Sequence, residues 1–233
     1  ANLLRISPPY NADNLDLLSI AGAEYAYFNL HGLNDSPNWY GQKDLSNNDS
    51  TPDYPIAFQP NLIDLEKNNP AVVLSEACYG AFIMQKTVDD SISLRFLDSG
   101  TRAFIGSTCI AYGSVYPPLI GADQFAHLFW DLLEKDYSLG DAFIRAKLNL
   151  VKSILRRQGY LDGEDQKTIL SFVCYGDPLY SNDMQGESHF IREDEKNLNT
   201  YTVVRDQDLD TIEMPKISAE ILANIKEVLK EYL

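Results

Sequence analysis

Four short apolar runs, separated by turns and longer amphipathic stretches, constrain the fold of this 233-residue chain more than any other feature. Each run is almost continuously hydrophobic, as is typical of strands that helices bury on both faces. Their alternation with amphipathic stretches predicts an α/β domain with a mostly parallel sheet. The predicted strands are 26–30, 71–75, 103–107 and 169–175.

The predicted helices are 13–22, 80–99 with a break near 89–91, 122–135 and 139–158. The last helix has apolar residues at helical spacing on one face and Gly159 just beyond its end, which is a common helix stop. Residues 33–60 form a polar loop, and loops of that length are usually functional or mobile. These features assign 1–180 to one domain. An acidic appendage, 181–233, follows with a strand at 200–204 and a closing helix at 218–233.

Charge and hydropathy exclude several functional classes. The chain has 19 Lys and Arg against 34 Asp and Glu, and a net charge of −15 disfavours nucleic acids and anionic membranes as partners. No apolar run reaches the roughly 18 residues of a membrane span, and no signal peptide is recognisable, so we expect a soluble chain of open localisation. No glycine-rich phosphate-binding motif follows a strand, which disfavours a nucleotide-binding domain.

The three cysteines, Cys78, Cys109 and Cys174, form no CxxC pair and no zinc-type cluster, so we expect free thiols. An isolated cysteine is usually a buried core residue. Cys78, however, lies just past the second predicted strand, and His31 lies just past the first. Neighbouring parallel strands are about 4.8 Å apart and bring their carboxyl ends to one edge, where ligand crevices form. The pattern therefore predicts a Cys–His dyad.

The neighbours of these two residues fit acyl transfer. An imidazole activates a thiol for attack and then protonates the leaving amine. We expect the N–H groups of Gly32 and Cys78 to form the oxyanion hole. Glu76 points into the same loop and is a candidate for a basic substrate side chain. The alternative for Glu76 is a turn carboxylate that faces water.

The segments NLHG (29–32) and LSEACYGAF (74–82) resemble those of clan CD cysteine peptidases, the group of caspases, legumain, clostripain, separase and gingipains. Two later segments are similar to gingipain-like peptidases of family C25. They are the strand and loop at 101–130 and the closing strand FVCYGDPLY at 172–180. The resemblance covers roughly 15–180. It implies a caspase/haemoglobinase-like three-layer sandwich and an endopeptidase with His31 and Cys78 as its dyad.

The resemblance also implies a substrate pocket with one wall formed by 106–112. Its candidate lining residues are Glu76, Gly106, Ser107, Thr108 and Tyr112. We expect Cys109 to lie beside the pocket and Cys174 to be inert in a strand. His127 is expected to be a packed structural histidine, His189 to lie in the appendage, and Asp177 to accept hydrogen bonds in its turn.

The family places two strands and a helix before the histidine strand, whereas only about 25 residues precede it here. We therefore expect the first strands to be missing from this chain, with an N-terminal fragment of the same precursor as a partner. In the family, the acidic residue that selects Arg or Lys precedes the histidine strand, so it cannot be assigned to a position in this chain. The acidic composition of the chain favours cleavage after Arg or Lys only weakly.

Cofactors and function leave alternatives open. No cofactor is required, but the loop residues Asp44, Asp49 and Asp53 carry oxygen ligands that suit calcium. A polar loop without metal is the alternative for this segment. For the whole chain, the alternative to a peptidase acting on proteins or peptides is a catalytically silent, protease-like scaffold or binding module. A legumain-type ligase shares the same first chemical step.

Overall fold

The computed structural model describes residues 4–15, 22–45, 52–65, 69–114 and 116–181. The chain divides into two compact units, Ala1–Asn182 and Asp183–Leu233, and every described residue belongs to the first. The predicted strand 200–204, the predicted helix 218–233 and His189 lie outside the described residues. Most of the predicted helix 13–22 also lies outside them, because 16–21 are not described.

The described chain contains seven strands and four α-helices. The strands are β1 (Tyr25–Phe28), β2 (His31–Gly32), β3 (Trp39–Tyr40), β4 (Ile56–Phe58), β5 (Val72–Ser75), β6 (Ala103–Ser107) and β7 (Phe172–Gly176). The helices are α1 (Ile92–Asp98), α2 (Gly121–Leu133), α3 (Leu139–Gln158) and α4 (Gly163–Ser171), and a 3-10 turn spans Pro60–Leu62.

The main sheet has the strand order β1-β5-β6-β7. Strands β1, β5 and β6 run parallel, whereas β7 is antiparallel to its neighbour β6. A second, three-stranded antiparallel sheet of order β2-β3-β4 begins shortly after β1. The predicted mostly parallel sheet is therefore confirmed, with β1 and β5 side by side.

Apolar side chains alternate between the two faces of the main sheet. Val72, Leu74 and Ile105 face a core built with α2 and α3. Val73 and Phe104 face the opposite core, where α1 and the small sheet contribute their apolar side chains. A sheet covered on both faces requires the continuous hydrophobicity that β5 and β6 have. The expected three-layer architecture is confirmed.

The structure also corrects several boundaries. Residues 80–91 form turns rather than a helix, so only α1 remains of the predicted helix 80–99. The predicted strand at 169–175 begins instead at Phe172, because α4 runs to Ser171 from a capping box at Asp162 and Asp165. The loop 33–60 contains β3 and β4, so it is not irregular throughout.

Candidate active site

The turn that follows β5 holds Cys78 at the carboxyl edge of the main sheet. The backbone N–H groups on either side of Cys78 are fixed: Ala77 donates to Ser75 Oγ over 3.1 Å, and Tyr79 donates to the Cys109 carbonyl over 2.8 Å. Tyr79 has a φ of 58°, in the left-handed region that non-glycine residues seldom occupy. Such a conformation persists only where its surroundings enforce it, so the turn presents Cys78 rigidly.

The Cys78 sulfur is half-buried and lies against the segment that follows β6. The Ala111 N–H donates to Cys78 Sγ over 3.4 Å, and Sγ lies 3.7 Å from the Ala111 carbonyl. The same contact holds the predicted pocket segment next to the sulfur.

Gly32 lies in direct contact with the backbone of Cys78. A Cβ built on Gly32 would be 2.0 Å from the Cys78 carbonyl oxygen and 3.2 Å from Ala77 Cβ. Because the nearest atom belongs to the backbone, no side-chain movement could relieve this clash. The sequence His31–Gly32 therefore allows the histidine segment to approach the cysteine turn closely.

His31 is exposed and is flanked by two side chains from the neighbouring segments. Its Nε2 atom is hydrogen-bonded to the side-chain amide of Gln42. Its ring also meets the Tyr54 ring edge-on, with 5.1 Å between the ring centroids. Tyr40 pairs directly with His31 across β2 and β3, so Gln42 is the diagonal neighbour of His31 on the same face. Neither contact could be predicted from spacing along the chain.

Glu76 does not face water, so the solvated-carboxylate interpretation is wrong. Its side chain is 7% exposed and accepts a hydrogen bond from the Tyr27 hydroxyl. Burial raises the pKa of Glu76 to about 8, a hydrogen bond from Tyr27 opposes that rise, and the nearby Asp123 carboxylate adds to it. Burial and the Glu76 charge also raise the pKa of Tyr27 above its usual range.

Asp123, in the first turn of α2, connects Glu76 to the backbone just after the predicted pocket segment. One carboxylate oxygen accepts the Ser114 N–H over 2.6 Å, and the other accepts the Asn29 side-chain amide over 3.4 Å. Asp123 also shares a hydrogen bond with Glu76, which requires a proton between the two carboxyl groups. Sequence reasoning missed Asp123, because an acidic residue at a helix start is too common to mark a site.

The remaining pocket candidates differ in accessibility. Gly106 and Ser107 are buried in β6, where Ser107 Oγ contacts the Cys109 carbonyl and Ser171 Oγ, each at 2.9 Å. Thr108 is half-buried and donates its N–H to the Ser171 carbonyl over 2.9 Å. Tyr112 is half-buried too. Thr108 and Tyr112 are therefore partly accessible to solvent, whereas Gly106 and Ser107 are not.

Other candidate residues have separate environments. Cys174 is half-buried in β7, and burial raises the pKa of its thiol to about 11, which makes it a poor nucleophile at neutral pH. Cys109 is half-buried. Asp177 accepts the Leu179 N–H over 2.9 Å, as predicted for its turn. His127 is exposed, so the expectation of a packed histidine is wrong, because this position on α2 faces outward.

The calcium candidates are not grouped within the described segments. Asp53 forms an ion pair with Lys43 at 2.8 Å, and Asp49 lies outside the described residues. Within the described parts of the chain, no three His, Cys, Asp or Glu side chains are grouped closely enough to hold a metal ion.

Similarity to known proteins covers the same part of the chain as this site. Positions 20–182 match the family model described as Peptidase family C25. The chain belongs to peptidase family C25. Neither the curated proteins nor the solved structures gave a match. The C25 domain has a caspase-like α/β fold, and its family supports a cysteine-peptidase type of function with proteins as substrates. None of the helices in the described segments combines the length and hydrophobicity needed to cross a bilayer.

Proposed function

We propose that the chain is a cysteine endopeptidase in which Cys78 is the nucleophile and His31 is its base. The contact of Gly32 with the Cys78 carbonyl carries this proposal, because a glycine is needed there for the two segments to meet. Family membership supports the reaction type. The Ala111 N–H donates to Sγ and holds the sulfur beside the predicted pocket segment, which supports its place in the site.

The reaction follows from these groups. Cys78 gives its proton to His31, and the thiolate attacks the carbonyl carbon of the scissile peptide bond. The N–H groups of Gly32 and Cys78 donate to the oxyanion that forms. His31 then protonates the leaving amine, which leaves an acyl-enzyme. A water molecule, deprotonated by His31, attacks this thioester and releases the acid and the free thiol.

We propose a preference for Arg or Lys before the scissile bond. The net charge of −15 supports the attraction of basic substrates over a long range. The buried Glu76 and Asp123 lie beside the turn that carries the nucleophile. The pair shares a proton, and the negative charge that remains on it favours cationic side chains nearby. The hydroxyl of Tyr27 and the backbone of Ser114 occupy part of their hydrogen-bonding capacity, so these two carboxyl groups act on a substrate at a distance.

Fluorogenic peptides with Arg, Lys, Asn or Asp before the scissile bond test both parts, with and without added calcium. We expect turnover of the Arg and Lys peptides by the wild type. It should fall by roughly a thousand-fold or more in Cys78→Ala and His31→Ala, since the nucleophile and its base act as one unit. Cys174→Ala, which removes a thiol in β7, is the matched control and should retain turnover. Folded, reduced protein without turnover on any peptide would support the protease-like scaffold instead.

A further inference from the structure

The hydrogen bond between Gln42 and His31 has no part in the proton transfers of the proposed reaction. Histidine bases in hydrolases need a partner on the second ring nitrogen, which fixes the ring plane and decides which nitrogen carries the proton. Gln42 contacts Nε2, so Nδ1 is the nitrogen left for Cys78. The Tyr54 ring packs edge-on against the same imidazole and restricts its rotation.

The backbone around Gln42 is held in place from two sides. The Gln42 N–H donates to the Ser7 carbonyl over 3.2 Å, and the Gly41 N–H donates to the Pro55 carbonyl over 2.9 Å. A Cβ on Gly41 would lie 2.0 Å from Ser7 Oγ, so Gly41 permits this close approach. The Gln42 side chain therefore starts from an anchored position, and less entropy is lost when it binds the imidazole.

The amide group offers His31 two pairings. If the amide nitrogen donates to Nε2, the ring proton stays on Nδ1, and Nδ1 cannot accept the thiol proton. If the amide oxygen accepts from Nε2–H, the lone pair is on Nδ1 and the ring can act as a base. The structure places the Gln42 amide nitrogen against His31 Nε2. A half-turn of the planar amide puts its oxygen at the same position, so both pairings are compatible with the contact between the two side chains.

We propose that Gln42 is the positioning residue of His31: its amide oxygen accepts the Nε2–H and leaves Nδ1 to accept the Cys78 proton. This inference rests on the proposed dyad. The Nε2–H bond persists after proton transfer, because the imidazolium still donates through Nε2 to the amide oxygen. The same hydrogen bond therefore holds the ring in one orientation throughout the reaction.

Nitrogen-15 NMR of the imidazole nitrogens tests the proposal, because the nitrogen shifts identify the protonated nitrogen in the folded protein without any turnover. With the His31 ring neutral in the wild type, we expect the Nε2–H tautomer. Gln42→Leu should shift the ring toward a mixture of tautomers. Gln42→Glu should restore the Nε2–H tautomer and move the titration of the ring to higher pH, since an adjacent carboxylate favours the imidazolium. His127 serves as an internal reference in each spectrum.

Peptide hydrolysis gives the second measurement. Gln42→Leu should lower kcat roughly ten-fold with little change in KM, and Gln42→Glu should recover part of kcat and move the acidic limb of the pH profile upward. Gln166→Leu, an amide on α4 that donates to the Leu161 carbonyl, is the matched control and should leave kcat unchanged.

The two proposals fail in different ways. An unchanged His31 tautomer in Gln42→Leu, or an Nδ1–H tautomer in the wild type, would overturn the role of Gln42 whatever the activity. Turnover that survives Cys78→Ala would overturn the dyad, while the tautomer measurement would still decide whether Gln42 orients the histidine.

Discussion

Substitution of the buried Glu76 by glutamine should remove a large part of the pH dependence of stability. The folded state raises the pKa of this carboxyl from its usual 4.5 to about 8. Folding therefore favours the protonated form, so the stability associated with Glu76 is fully present below pH 4.5 and is lost as the pH rises toward 8. At about 1.4 kcal/mol for each pKa unit, the loss over this range is about 5 kcal/mol.

The assay is urea unfolding at about pH 5.5 and about pH 7.5, followed by tryptophan fluorescence. Glu76 alone should lower the free energy of unfolding of the wild type by about 2.5 kcal/mol between these two pH values. The amide introduced by Glu76→Gln is neutral at both, and it can still accept the Tyr27 hydroxyl and donate to Asp123. We therefore expect Glu76→Gln to be more stable than the wild type at the higher pH, with the difference shrinking at the lower pH.

The control is Glu134→Gln, because Glu134 is an exposed carboxyl at the end of α2. Its pH dependence should match that of the wild type, since this substitution leaves the buried Glu76 in place. An equal pH dependence in the wild type and Glu76→Gln would refute the reasoning. It would mean that Glu76 ionises in the folded protein as easily as in the unfolded chain.

Two further predictions concern a Cβ added at position 32, beside the nucleophile, and the reactivity of the Cys174 thiol in β7. Gly32→Ala should lose most of its peptidase activity and about 1–3 kcal/mol of stability, because its Cβ would overlap the Cys78 carbonyl. The control is Gly163→Ala, where the added Cβ meets open space. Equal activity and melting temperature in both variants would contradict the close contact. Cys174 should react with iodoacetamide at about pH 8 far more slowly than Cys78. The Cys174 pKa of about 11 leaves only about 0.1% of this thiol as thiolate at that pH. Equal labelling rates of the two cysteines by mass spectrometry would show that Cys174 is not shielded.

The long periodic elements of the fold could be predicted from the sequence. Strands β5 and β6 are continuously apolar because both faces are buried, and α2 and α3 have apolar faces several turns long. The junction between α4 and β7 could not be predicted, since the segment ILSF (169–172) has no periodicity that distinguishes the end of a helix from the start of a strand. The two-residue ladders of β2 and β3 are too short to leave a pattern at all.

Some residues of the candidate site could likewise be predicted from the sequence, and others could not. His31 and Cys78 follow recognisable strands, so their shared edge follows from the parallel topology. Gln42, Tyr54 and Asp123 approach the site through a hairpin register and a helix start, which depend on the folded geometry rather than on local composition. The burial of Glu76 depends on a neighbouring strand, whose tyrosine hydroxyl reaches it.

The two halves of the candidate dyad belong to parts of the molecule with different local stability. Cys78 follows a central strand buried between both cores, whereas His31 lies in a two-residue strand of the small sheet. Hydrogen exchange in proteins is slowest in central strands and fastest in short, exposed ladders. Local opening of the small sheet would remove the base while the nucleophile stays in place, so a sample with native circular dichroism can still contain molecules without an assembled dyad.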